Sequence, residues 1–179
     1  MYRLNVKHLI VTLFSSLLLS CNSEAPNPPI CRIDAVHLDV TAGNAGCIIR
    51  VGQRLLTIKH RLSGKLDTPG GGGDENESAQ CTAHRETWEE TGFNVEVGPL
   101  LGIAKNGFRY YQCQLDDDFG GELFEFPVPE WSHSEVNGIQ LIEPFSTTHK
   151  QWRHPDRLVN LRSMFVEAGK SEQTTTDSD

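Results

Sequence analysis

The chain has 179 residues, with 24 Asp and Glu against 16 Lys and Arg and a formal charge of −8. That length suits one domain with a real core and is short for two, and 37% hydrophobic with 22% charged residues lies far from the disordered regime. The acid surplus argues against a nucleic-acid partner, because few Lys and Arg are left to neutralise a phosphate backbone.

Residues 1–8 are short and basic, with Arg3 and Lys7, and residues 9–19 (LIVTLFSSLLL) are mostly apolar. As a helix that run covers only ~16 Å, about half a bilayer core, so it reads as a secretory signal rather than a span. Leu18-Leu19-Ser20-Cys21 resembles the lipobox of bacterial lipoproteins. The resemblance implies a signal peptide over 1–20, a lipid on Cys21 and membrane contact through that anchor only. Asn22 after the cysteine implies the periplasmic face of the outer membrane of a Gram-negative cell. The alternatives are an ordinary export signal with an incidental cysteine, or a buried apolar helix. Without residues 1–20 the formal charge becomes −10, because Arg3 and Lys7 leave and no acid does.

Cys31, Cys47, Cys81 and Cys113 remain. In an oxidising compartment four cysteines are expected to form up to two disulfides, in any of three pairings, with buried free thiols as the alternative. No C-x-x-C occurs, so neither a thioredoxin-like site nor a zinc ribbon is indicated.

Residues 21–43 read as a Pro-rich tether followed by an N-terminal strand region, 44–170 as the domain, and 171–179 as a disordered polar tail. Short β-rich runs predict strands at Ala35–Val40, Cys47–Val51, Leu55–Lys59, Asn94–Val97, Phe108–Gln114 and Ile139–Ile142. Gly52-Gln53 between two of them predicts a hairpin. Residues 66–76 (LDTPGGGGDEN) form a Gly-rich loop, and 77–91 lack Gly and Pro and predict a helix. Asn76 or Ser78 suits its start and Gly92 its end. A last helix is predicted from Pro155 to about Ala168, with Leu158, Leu161 and Phe165 at helical spacing. Strands with two helices imply an α/β or α+β layer domain.

The helix over 77–91 carries the chemistry. At ~100° per residue, Glu86, Glu89 and Glu90 share one face within about a turn. Like charges at that spacing repel, and a hard divalent cation reverses the penalty. Arg85 stands beside them, able to pair with a carboxylate and fix its rotamer. Read alone, such an acidic stripe is more often a solvated face.

Spacing changes that reading. Gly71, Glu77, Arg85, Glu86, Glu89, Glu90 and Gly92 occupy every fixed position of a 23-residue pattern, G-x5-E-x7-R-E-U-x-E-E-x-G-U, where U is bulky and apolar. This resembles the signature of the Nudix hydrolase superfamily. Phe93 fits the last U, and Thr87 departs from the first. The resemblance implies an α/β/α sandwich around a mixed β-sheet. It implies Mg²⁺ or Mn²⁺ held by Glu86, Glu89 and Glu90 with the Gly71 carbonyl, and Arg85 orienting the cluster. Glu77 would be a supporting or basic carboxylate, and the base among the glutamates stays unassigned. Glu135 resembles a further acid that often helps from outside the motif, with Glu122, Glu125 and Glu130 as rivals. The activity implied is hydrolysis of a diphosphate linkage in a small nucleoside-diphosphate-X type substrate. The alternative is an inactive ligand-binding or sensing lipoprotein of the same fold.

Other sites fare worse. The glycines at 70–73 lack the G-K-[ST] ending of a Walker loop, and no G-x-S-x-G exists. His60, His84, His133, His149 and His154 lack metal-ligand spacing. Trp131, Trp152, Tyr110 and Tyr111 read as core more readily than as a base-stacking platform.

Overall fold

The computed structural model describes residues 25–116 and 123–176. The signal segment and Cys21 lie outside the described residues, as does the rival acid Glu122.

Strands β1 (Ala45–Val51) and β2 (Arg54–His60) form the expected hairpin across Gly52-Gln53, with Val51 opposite Arg54. Two-residue strands β3 (Leu66–Asp67) and β4 (Gly70–Gly71) follow, then helix α1 (Ala79–Thr91). Next come β5 (Glu96–Ile103), β6 (Arg109–Gln114), β7 (Glu125–Phe126), β8 (Val136–Ile142) and helix α2 (Leu158–Thr176). The sheet order is β5-β6-β1-β2-β8-β7, with β1 and β6 parallel and the other neighbours antiparallel.

One feature of the sheet positions the site. β1 and β2 pair only near their hairpin, at Arg50–Leu55 and Val51–Arg54. Beyond it they part. β3 takes the edge of β2 at Ile58 and Lys59, and β4 takes the edge of β1 at Ala45 and Gly46. The Gly-rich segment is thus wedged into a split in the sheet.

Each face of the sheet carries one helix. Cys47, Ile49, Leu56, Ile58, Tyr111 and Cys113 bury against the α1 side with Ala79 and Ala83. Ile48, Leu55 and Tyr110 bury against the α2 side with Leu158, Leu161, Met164 and Phe165. Alternate residues go to opposite faces, so a strand covered on both sides reads as a continuous apolar run. This is a mixed-sheet α/β sandwich, as the motif's resemblance implies.

The boundaries shift in three places. Ala35–Val40 is no strand: Ala35–His37 make one 3-10 turn, capped by the Asp34 carboxylate, which accepts from Val36 N–H at 3.0 Å. The apolar alternation predicts pairing, but Val36 and Val40 are 84% and 80% exposed and join no ladder among the described residues. Pairing comes earlier instead, where Asp34 N–H donates to Val97 O and Val97 N–H to Arg32 O. The strand predicted at Asn94–Val97 begins at Glu96 and continues through Gly98-Pro99, with register shifts that accommodate the proline. α2 starts after a 3-10 turn at Pro155–Arg157 and runs to Thr176, into the polar segment read as a tail.

The cysteines form two bonded pairs, Cys31–Cys81 and Cys47–Cys113, with Cα separations of 5.4 and 5.5 Å. The first ties the N-terminal arm to α1. The second joins the parallel neighbours β1 and β6.

Candidate active site

α1 begins where Ser78 Oγ accepts from Cys81 N–H at 3.3 Å and ends at left-handed Gly92, whose N–H reaches Trp88 O. Thr87, the departure from an apolar residue, is fully buried and donates its hydroxyl to Ala83 O at 2.7 Å. The polar group is satisfied within the helix, so a β-branched body fills the apolar position at little cost.

Arg85 gathers the acids. Its Nε and Nη2 donate to the two oxygens of Glu77 at 3.0 Å each. Nη1 donates to Glu86 Oε1 at 2.9 Å and Glu89 Oε2 at 3.1 Å, and Nη2 also reaches Gly72 O at 2.7 Å. One planar guanidinium therefore locks loop and helix together through charge-assisted bonds. Burial alone would depress its pKa, but Glu77 and Glu86 hold it far above its ordinary value.

Glu77 braces the loop. Its Oε2 accepts from Asp74 N–H at 3.1 Å and Thr82 Oγ1 at 2.9 Å. Burial pushes its pKa up, but these bonds and Arg85 bring it below the ordinary range. Glu90 is buried, and its Oε2 accepts from Gly70 N–H at 2.8 Å. Burial holds its carboxyl well above the ordinary range despite that bond, and Glu86, Asp67 and Glu135 add repulsion. Glu86 is raised too, chiefly by burial, with Arg85 opposing. Gly71 is pressed on Glu86: a Cβ there would sit 2.3 Å from Glu86 Oε2.

Glu135 joins this group. It lines one cleft of about 110 Å³ with Glu86, Glu89, Glu90 and Trp131. Of its rivals, Glu125 sits exposed in β7 and Glu130 exposed in a 3-10 turn. The cleft wall is fixed by Trp131 Nε1–H donating to Glu89 O and Ser132 Oγ–H to Glu90 O, both at 3.1 Å, with Trp131 stacked on Trp88.

Sequence reasoning missed Asp67, Ser132 and this role of Trp131. Asp67 lies at the start of the Gly-rich segment, and its charge acts on Glu90. It ends the two-residue strand β3, which has no periodicity to mark it in the sequence. Ser132 carried no signal, because its contact depends on a distant turn folding over α1. Tyr110, Tyr111 and Trp152 are buried in the core, as expected. His84 is buried against Asn94 and His60 bonds Ser63, so neither faces the cleft.

A family model described as a NUDIX domain matches residues 40–170. The chain belongs to the NUDIX family. A MutT-like protein of Streptomyces ambofaciens is 36% identical over 93 residues, covering 52% of this chain and 54% of its own. An RNA pyrophosphohydrolase of Bartonella tribocorum is 34% identical over 82 residues, covering 41% and 46%. The chain thus spans about half the length of the curated relatives it matches. Among solved structures, an ADP-ribose pyrophosphatase of Streptococcus suis superposes with a TM-score of 0.56 at 18% identity, covering 72% of this chain and 92% of its own. A NUDIX hydrolase of Nitrosomonas europaea gives 0.56 at 17%, covering 72% and 90%. At those identities the likeness is one of fold.

The Nudix motif residues fit a hard divalent cation by donor chemistry. Glu86, Glu89, Glu90 and Glu135 offer only carboxylate oxygens to one cleft, and two of them bear a burial penalty that a cation relieves. Among the described residues no three acids, histidines or cysteines already stand at chelating distance. Arg85 Nη1 meanwhile occupies one oxygen each of Glu86 and Glu89.

Proposed function

We propose that this chain is a divalent-metal-dependent hydrolase that cleaves the phosphoanhydride of a small diphosphate, of the nucleoside-diphosphate-X kind. One observation carries the reading: Glu135 shares a single cleft with Glu86, Glu89 and Glu90, which stand on a helix that Arg85 and Glu77 clamp to the Gly-rich loop. The names of its relatives agree with it, since those proteins are called pyrophosphohydrolase or diphosphatase.

Glu86, Glu89 and Glu90, with the Gly71 carbonyl, would hold Mg²⁺ or Mn²⁺. Such an ion supplies charge neutralisation for the diphosphate and a more acidic water. The chain's residues do the rest. Arg85 orients Glu86 and Glu89 through Nη1, which bonds one oxygen of each and leaves the second outside that clamp. Gly70 N–H fixes one oxygen of Glu90, and the other would be the one offered to the ion. Glu135, free of any such clamp among the described residues, would take a proton from the attacking water. The water's oxygen attacks one phosphorus, and the bridging oxygen leaves with the other phosphoryl group.

The lipobox-like segment supports a second element of this reading: export, with a lipid on Cys21, to the periplasmic face of an outer membrane. Mass spectrometry of the mature N-terminus tests it, and an unmodified Cys21 would overturn it. For the activity, the test is a panel of nucleotide sugars, dinucleoside polyphosphates and nucleoside triphosphates with Mg²⁺ or Mn²⁺. Metal-dependent phosphate release from at least one class is expected, and EDTA should abolish it. Turnover of none would favour a ligand-binding protein.

A further inference from the structure

The β2–β3 hairpin has two sides. On one, Arg61 N–H donates to Glu135 O and the Arg61 side chain to His133 O, which places the hairpin against the turn that carries Glu135. On the other lies an open cleft of about 320 Å³, between the hairpin and the segment that precedes α2. That volume falls within the range of small-ligand sites. Lys59, Lys65 and Lys150 line it with Ser63, Gln140 and Gln151, and no acidic side chain does. None of the three lysines is paired with a carboxylate among the described residues.

Three ammonium groups around one cleft repel one another, and on this chain that is unexpected. Acids outnumber bases by 24 to 16, so counter-charges were available. The cleft is also braced. Lys65 Nζ donates to Lys150 O, Arg153 N–H to Leu66 O, and Leu66 bridges to Trp152. Gln151 turns Oε1 to Thr148 N–H at 2.7 Å, so its amide NH₂ remains as a donor. The lining therefore offers donors and positive charge together, which is the chemistry of a phosphate site.

Its position relates it to the reaction. Leu66, on the cleft wall, stands five residues before Gly71, so the chain between them spans at most ~17 Å. Both belong to the segment wedged into the split sheet. The two places therefore lie within the length of a nucleotide of one another.

We propose that the lysine cleft receives a second phosphate, carried on the X group of the substrate and remote from the diphosphate that is cleaved. This rests on the hydrolase reading above and narrows it. The preferred substrate is a diphosphate whose X group bears a phosphate of its own, rather than a neutral sugar.

Two matched pairs test it: coenzyme A against its 3′-dephospho form, and NADP against NAD. The phosphorylated member should be favoured in kcat/KM, mainly through KM, by ~10- to 100-fold, the range of charge-assisted hydrogen bonds. The double variant Lys59→Gln with Lys150→Gln should erase that preference and leave turnover of the unphosphorylated member unchanged, which also reports an intact fold. Equal use of both members, or a preference that survives the double variant, overturns the proposal. A second arm needs no turnover: calorimetry of inorganic phosphate binding in EDTA, on the unaltered protein and the double variant. Binding lost in the variant supports the cleft even where no substrate is hydrolysed, a result that would sink the hydrolase reading alone. No phosphate binding, or lysine dependence seen only with phosphatidylglycerol vesicles, overturns the assignment.

Discussion

Gly70 N–H donates to Glu90 Oε2 at 2.8 Å, across twenty residues of chain. The bond joins the wedge in the sheet to the most buried acid of α1. It fixes one oxygen of a carboxyl that burial holds well above its ordinary pKa. Glu90→Gln keeps the shape and the bond to Gly70 but removes the charge. We expect a ~10²- to 10⁴-fold loss in kcat, the scale for removing one acid–base or charge-bearing group, measured by steady-state phosphate release. In EDTA the variant should melt no lower than the unaltered protein, because a buried charge without its cation is a liability. A lower melting point there would mean that Glu90 serves the fold rather than the reaction.

Arg85 is expected to act through the acids it holds. Arg85→Lys retains the charge but loses the planar fork that spans Glu77, Glu86 and Glu89. Activity should fall by ~10- to 100-fold, as for groups that orient metal ligands, with the half-saturating Mg²⁺ concentration rising. A Mg²⁺ titration of the rate checks this, and an unchanged midpoint would contradict the orienting role.

The Cys31–Cys81 bond closes 50 residues of chain. Loop-closure entropy for that length corresponds to ~4 kcal/mol in the chain-entropy account. Replacing both cysteines by alanine should lower unfolding stability by up to that amount, measured by urea titration. Thiol titration of the unreduced, denatured chain should find Cys31, Cys47, Cys81 and Cys113 all unreactive.

Asp39 gives a pH dependence away from the cleft. The Thr41 hydroxyl and N–H, then the Tyr111 hydroxyl at 2.8 Å, hold its carboxyl below the ordinary value near 3.8. A depressed folded pKa adds stability that is full above the ordinary value and lost as pH falls through the folded one. Asp39→Asn should therefore melt below the unaltered protein at neutral pH, with the gap closing in strong acid. Melting curves across pH check the sign.

Much of this was legible in the sequence because the cues are local. The α1 helix, its caps and its glutamates follow from spacing within 23 residues, and Arg85 stands beside the acids it clamps. β1, β2, β6 and β8 announce themselves as apolar runs. β3, β4 and β7 do not, since two residues carry no periodicity. Ala35–Val40 misled because alternation marks a strand only when a neighbour exists to pair with it. Glu135 could be preferred to Glu125 only by a weak resemblance, because its place depends on a turn folding back over α1. Ser132 and Trp131 depend on that same fold. The lysine cleft joins residues about ninety positions apart, and only β2, β3 and the chain before α2 bring them together.

At Gly46 and Gly70 the joint is built of main chain packed on main chain. A methyl group at Gly46 would meet Pro69 O at 2.4 Å, and one at Gly70 would meet the Gly46 Cα at 2.4 Å. Mutation therefore has nowhere to go at this joint, whatever the ligand. Any drift in what the protein recognises must be written into the outer surfaces of the same wedge, leaving its inner seam as a fixed hinge-pin around which new specificities are tried.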